Sequence, residues 1–474
     1  MSRPPLTLVW LRQDLRLRDN PALLAAVRRG GAVVPVYILD EGGEAPWAPG
    51  AASRWWLHES LQRLHAACQL LGSRLILRRG AAAAQLLALA SECGADALYW
   101  NRRYEPAVRR RDAQVELALR SQGVQAVSHA GALLVEPGQL LTRSDTPFQV
   151  FTPFWRRLLA DTNPATPQPA PRTLRPPATW PPSLELPQLQ LLPPVPWHEK
   201  LAAHWSPGEA GAQRRLQEFL ASALPGYDLG RDLPAMAGTS RLSAHLHHGE
   251  VSARQVWHGV LAAGGERSGK YLSELIWREF SYHLLHHFPH TTCEPLRAPF
   301  ARFPWREDAE ALHAWQRGQC GIPLVDAGMR QLWTSGWMHN RVRMISASFL
   351  VKNLRLPWQQ GARWFWDTLV DADLAANTQG WQWVAGCGAD AAPYFRVFNP
   401  VTQGQRFDPR GEYLRRWLPE LARLPDSLLH TPWRASAEQC RAAGVVLGRT
   451  YPFPIVDLAA SRRAALDAYR QLRQ

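Results

Sequence analysis

The stretch DADLAANTQGWQWVAG, residues 371–386, places two carboxylates, Asp371 and Asp373, close to an amide, Asn377, and two indoles, Trp381 and Trp383. Acids, an amide and aromatic faces so close together are costly to bury without partners. Three other stretches carry comparable chemistry. AGTSRLSAHL (237–246) sets Thr239, Ser240 and Ser243 ahead of a helix. Such hydroxyls read first as an N-cap, and second as donors to a phosphate at a helix start. ELIWREFSYHLLHH (274–287) puts Glu274, Trp277 and Arg278 on one or adjacent turns. Its Glu279, His283 and His287, spaced by four, have ligand types for a metal, but they also describe an ordinary helix face, and no HExxH is present. GWMHNRVRMISASF (336–349) interleaves Trp337, Asn340, Arg343 and Met344, and Arg343 could pair with an acid of 371–373.

The elements that must position these groups fall into two patterns. From residue 7 to 130 apolar strands alternate with helices: strands at 7–11, 32–40, 74–80, 97–101 and 124–130, helices at 52–72, 83–94 and 109–123. This alternation predicts a parallel sheet with helices on both faces. No GxGxxG follows the first strand, so a dinucleotide fingerprint is absent. Residues 161–197 are dense in proline and predict a linker lying over the surface. Beyond about 205 the apolar spacing becomes three and four, which predicts helices. The expected organisation is an α/β domain at 1–130, a linker at 131–204 and an all-α domain at 205–474.

Composition narrows the partner. The chain has 474 residues and a net charge of +14, with 54 Lys plus Arg against 40 Asp plus Glu. That balance suits a polyanion such as nucleic acid, although a generally basic proteome would give it too. The 22 tryptophans exceed what packing alone asks for, because a buried indole N–H needs an acceptor. The six cysteines are scattered without a CxxC pair, so neither a zinc ribbon nor a disulfide framework is indicated. No signal segment and no apolar run of about 18 residues is seen, which predicts a soluble cytoplasmic protein.

GTSRLS, ELIWREF, GWMHNRVRMI, DLAANTQGWQW and FNPVTQGQRFDP, together with the N-terminal VWLRQDLRLRDNPAL, resemble the photolyase/cryptochrome family, most of all class I cyclobutane pyrimidine dimer photolyases. The resemblance implies an α/β antenna domain, a linker and a helical domain holding FAD in a U-shape. It implies that Tyr227, Thr239, Ser240, Arg241, Leu242 and Ser243 hold the ribityl-diphosphate. Tyr271 stands where such proteins place a flavin-contacting Trp. Arg343, Asp371 and Asp373 would line the ring and adenine-ribose side, and Asn377 would face flavin N5. An Asp at that last position is the plant-cryptochrome pattern; this chain has Asn. Trp381, Trp358 and Trp305 match the family's electron chain to the surface. Photolyases are among the enzymes known to flip their target base, and flipping is taken from the family, not from these residues. Trp277 and Trp383 resemble the walls that sandwich the dimer. Glu274 and Asn340 would bond its base edge, Met344 would pack on it, and Arg231, Arg278 and Gln403 would face DNA.

The implied activity is light-driven repair of pyrimidine dimers in double- or single-stranded DNA by a monomeric deoxyribodipyrimidine photolyase, with no metal. The second, antenna chromophore stays open between folate and deazaflavin. YEPAVRRRD (104–112) has Ala107 and Val108 where folate-binding relatives have an Asn–Glu pair. WNRRYEP looks more like deazaflavin relatives, while GAASRWWLHESL (50–61) is similar to folate-binding relatives of a neighbouring class. Two rivals remain. A cryptochrome-like sensor is disfavoured by Asn377 and by the lack of a long tail after AALDAYRQLRQ. A 6-4 photoproduct enzyme is disfavoured because it would carry paired histidines where this chain has Asn340 and Met344.

Overall fold

The structure, a computed structural model, describes residues 4–264, 268–391 and 395–472. The chain forms two compact units. One comprises Met1–Pro225, Ser240–Pro289 and Val370–Leu374, the other Gly226–Thr239, His290–Leu369 and Ala375–Gln474.

The first unit opens with the expected alternation: β1 (Leu6–Leu11), α1 (Pro21–Arg29), β2 (Ala32–Leu39), α2 (Ala51–Leu70), β3 (Ile76–Arg79), α3 (Ala82–Cys93), β4 (Ala97–Asn101), α4 (Pro106–Ser121) and β5 (Gln125–His129). The strands form one sheet in the order β3-β2-β1-β4-β5. Every pairing is parallel, with Leu8 opposite Val34 on one side and Leu98 on the other. Successive side chains of β1 go to opposite faces. Val9 and Leu11 join a core with Leu23, Leu57 and Leu61, whereas Leu8 and Trp10 join one with Leu86, Leu89, Val115 and Leu119. Both faces are covered by helices, which is why these strands read as continuous apolar runs. The strand order reverses between β1 and β4. Beyond the C-terminal ends of those strands, where such sheets bind ligands, lies a cleft of roughly 330 Å³, open solvent included, lined by Gln13, Asp14, Asn101, Arg103, Tyr104 and Tyr282 among others.

The proline-rich segment is more than a surface strap. It begins after α5 (Phe151–Asp161), and its Leu174, Leu189 and Leu191 are fully buried in the same core as Leu57 and Leu61. Buried polar bonds then fix the following segment on the sheet layer. Arg16 donates to the carbonyls of Gly131 and Gly249 at 2.9 Å each, and Glu250 accepts from Trp56 Nε1 at 2.9 Å and Gly208 N at 2.6 Å. Buried groups so satisfied add to order rather than cost stability.

The second unit is helical, including Pro323–Ser335, Asn340–Ser348, Trp358–Thr368, Leu374–Ala385, Pro400–Phe407 and Leu458–Gln471. Val325, Leu332, Val342, Ile345, Phe349 and Phe365 are buried between them. Asp326 ties the loop before its helix to the C-terminal segment: it accepts from the backbone of Cys320 and Gly321 at 2.7 and 2.9 Å and from the Tyr451 hydroxyl at 2.7 Å. Among the described residues no helix is long and apolar enough to cross a membrane.

Candidate active site

In the first unit the segment 240–243 departs from the N-cap reading. The cap position of the Ser243–His247 helix is Leu242, and no side chain caps it. Ser243 is instead the first helical residue, and the Ser240 hydroxyl accepts from Leu242 N at 3.3 Å. Arg241 between them adopts φ 52°, a left-handed conformation uncommon for a residue other than glycine. Its guanidinium lies 4.5 Å over the Trp205 ring. Burial and then the neighbouring Arg215 bring the Arg241 pKa down to about 10, against the opposing charge of Asp371. A nearby anion would relieve that field.

Asp373 is buried and accepts from the Tyr282 hydroxyl at 2.5 Å, with His247 Nδ1 3.5 Å away. Burial by itself would raise this carboxyl. The neighbouring His247, the Arg278 guanidinium and the Tyr282 hydroxyl outweigh burial and hold it well below the usual carboxylate range. It therefore stays an ionised acceptor within the protein interior. Tyr271 lies beside Ser240, and its ring packs 4.5 Å from Phe219.

The Gly269–His287 helix carries the rest of this unit's set. Glu274 and Trp277 are half-buried on it. One face of Trp277 is stacked on Phe151 of α5, with centroids 3.7 Å apart and planes 6° from parallel. Arg278 turns inward: its Nη1 donates to Ala132 O at 3.0 Å, its guanidinium lies 5.0 Å from the Tyr282 ring, and its side chain is only 15% exposed. That arrangement makes it a buried partner of Tyr282 and Asp373 rather than a charge offered to phosphate, so the DNA-facing expectation for Arg278 is not kept.

The three residues of the metal alternative have backbone partners. Glu279 accepts from the backbone of Leu134 and Val135, His283 accepts from Phe148 N at 3.0 Å and meets Pro137 O at 3.1 Å, and His287 meets the same carbonyl. Their ligand atoms serve the backbone of residues 134–148, and no group of three His, Cys, Asp or Glu placed to hold a metal occurs among the described residues. Burial raises Glu279 to about 7 and lowers His283 to about 4.

In the second unit, Tyr227 is buried, and the Arg231 guanidinium lies 5.5 Å from its ring and 3.8 Å from Asp232. Thr239 is half-buried at the end of that segment. Asn340 and Met344 sit one turn apart on one helix face, the amide Nδ2 3.8 Å from Sδ. Arg343 donates from Nε to Met338 O at 2.6 Å and lies 5.9 Å from the Trp337 ring. The Asn377 amide is oriented by donation to Ala362 O at 3.0 Å, which leaves its oxygen and second N–H for a ligand.

Trp381 and Trp358 are each 2% exposed, and Trp305 is half-buried. Trp381 meets Phe365 edge-on at 5.0 Å and Trp315 at 6.2 Å. Gly361 makes the room: a Cβ there would fall 2.1 Å from Trp381 Cη2. Trp383 is half-buried, and its indole N–H donates to Asp390 O at 3.2 Å. Gln403 is half-buried on the Pro400–Phe407 helix, whose start is capped by Asn399.

Phe151, Trp205, His247, Tyr282 and Gly361 escaped the sequence reading. Only Tyr282 left a trace there, four residues after Arg278 on one helix face.

A family described as the FAD binding domain of DNA photolyase matches residues 271–471, and one described as DNA photolyase matches residues 7–172. The deoxyribodipyrimidine photo-lyase of Agrobacterium fabrum is 48% identical over 472 residues, 98% of each chain. Cryptochrome-1 of Arabidopsis thaliana is 38% identical over 488 residues, covering 99% of this chain and 70% of that one. The crystal structure of a bacterial class III photolyase from Agrobacterium tumefaciens superposes with a TM-score of 0.96 at 47% identity, covering 100% of this chain and 98% of that one. The class I resemblance read from the motifs is therefore not supported. The chain belongs to the photolyase/cryptochrome family.

Proposed function

We infer that this chain is a deoxyribodipyrimidine photo-lyase that repairs pyrimidine dimers in DNA by light, with FAD as its cofactor. The observation that carries the reading is its likeness to such an enzyme over nearly the whole chain. We propose the finer points on narrower support. Likeness to a class III structure favours that class over class I. The net charge of +14 favours binding to the DNA backbone of double or single strands. A monomer working in the cytoplasm is the simplest form for such an enzyme. The second, antenna chromophore is left between folate and deazaflavin.

The residues fit FAD. The Arg241 guanidinium, whose pKa is lowered by burial and Arg215, suits a diphosphate. Ser240, Ser243, Thr239 and Tyr227 would supply the neighbouring contacts, with Leu242 as backbone and Tyr271 as a ring. Asp371 and the ionised Asp373 suit hydroxyl and amine donors of the ribose and adenine side. Arg343 and the oriented Asn377 amide suit the reduced, anionic ring better than a second carboxylate would. When bound and reduced, FAD supplies on excitation one electron to the dimer and regains it after the cyclobutane ring has split.

The chain's part is to seat the dimer and exclude water. Trp277 and Trp383 would stack on it, Glu274 and Asn340 would bond its edge, and Met344 would pack on it. Arg231 and Gln403 would contact DNA. Trp381, Trp358 and Trp305 would relay electrons inward from the surface to reduce the bound cofactor. The likeness to cryptochromes favours a second reading, a light sensor without repair. Asn377, in place of the Asp of the plant pattern, weighs against it.

The cofactor reading has a direct check. The purified protein, incubated with FAD and desalted, is expected to show flavin absorption at one equivalent, lost on denaturation. A preparation that stays colourless would contradict it.

A further inference from the structure

Phe151 belongs to no motif that marks the site, and it lies at the start of α5. Its ring is stacked face to face on Trp277. It is held there from other sides: Trp155, one turn along α5, lies 6.1 Å away, and Phe280 meets Phe151 at 5.9 Å and Trp277 at 5.8 Å, nearly edge-on to both. Phe154, 1% exposed, anchors α5 on the same helix through Phe280 and His283, each 5.1 Å away. Phe151 and Trp277 themselves remain only half-buried.

We propose that Phe151 is a positioning residue for lesion binding: it covers one face of Trp277 and fixes the indole plane so that the opposite face is presented to the flipped dimer. This rests on the reading of Trp277 as a stacking wall. An indole on a helix surface has several rotamers. Stacking on a base needs one plane, and a side chain ordered beforehand does not lose that freedom on binding. Phe151 supplies the order, because a second ring at stacking distance makes other orientations of the indole lose contact on a whole face. The opposite arrangement, in which Phe151 fills the lesion's own seat, would have the reverse consequence: removing it would tighten binding.

The test uses the FAD-loaded enzyme and one duplex with and without a cyclobutane dimer. Phe151→Ala, Phe151→Leu and Phe151→Tyr are compared with Trp277→Ala. Phe151→Ala and Phe151→Leu are expected to weaken dimer binding roughly two- to tenfold, with undamaged-duplex affinity and flavin absorption unchanged, and Phe151→Tyr to restore it. Unchanged or tighter dimer binding in Phe151→Ala, with Trp277→Ala weakened, overturns this inference alone. If Trp277→Ala also binds the dimer normally, the stacking-wall reading falls and takes this inference with it.

Discussion

Trp381→Phe is expected to stop light-driven reduction of bound, oxidised FAD while leaving repair intact once the cofactor has been reduced chemically. Trp381 and Trp358 are buried and Trp305 is half-buried. Indole is readily oxidised and a phenyl ring is not, so the substitution removes a relay station without adding charge. Phe fills most of the space beside Phe365, Trp315 and Gly361. The lost volume should cost about 1–3 kcal/mol of stability, which a thermal melt separates from the electron-transfer effect. Illumination with an external reductant, followed by absorption, makes the measurement. Photoreduction at the wild-type rate would remove Trp381 from the relay and leave the enzyme assignment standing.

Truncating either proposed stacking wall is expected to have the largest effect on substrate binding. Trp277→Ala or Trp383→Ala removes one aromatic face, and such a stack contributes about 1–3 kcal/mol per base. Affinity for dimer-containing DNA should therefore fall roughly 5- to 150-fold. Undamaged duplex should bind as before, because that binding rests on phosphate contacts and falls with salt. Glu274→Ala should reduce discrimination in the same direction by leaving a base edge unpaired where water is excluded. The comparison is a titration of both duplexes at fixed salt. Parallel losses on damaged and undamaged DNA would assign the two tryptophans to folding or general DNA affinity.

The sheet was legible because strands buried on both faces are continuous apolar runs, and those after the second were separated by helices of ordinary length. The nine-residue α1 was not read as a helix: it is short and follows an Arg- and Asp-rich loop, although Asn20 and Pro21 form a conventional start. In the proline-rich segment the buried Leu174, Leu189 and Leu191 follow no period, so a reading of spacing missed them. The candidate site was legible only as residue types: acids, an amide and indoles at 371–383. Its pairings were not. Asp373 meets Tyr282, 91 residues away, and Trp277 meets Phe151 from a different helix. A single sequence does not encode such partners locally. The hydroxyls at 239–243 show the same limit: only the backbone reveals that Leu242, not a Ser or Thr, takes the cap position.

The most direct test of light-driven dimer repair is illumination of the FAD-reduced enzyme with matched oligonucleotides carrying a cyclobutane pyrimidine dimer, a 6-4 photoproduct or no lesion, with dark controls. The account predicts preferential binding of the cyclobutane substrate and its conversion to intact pyrimidines under blue light alone. Equal affinity for all three without repair, as a sensor would give, or repair of the 6-4 product only, would contradict it.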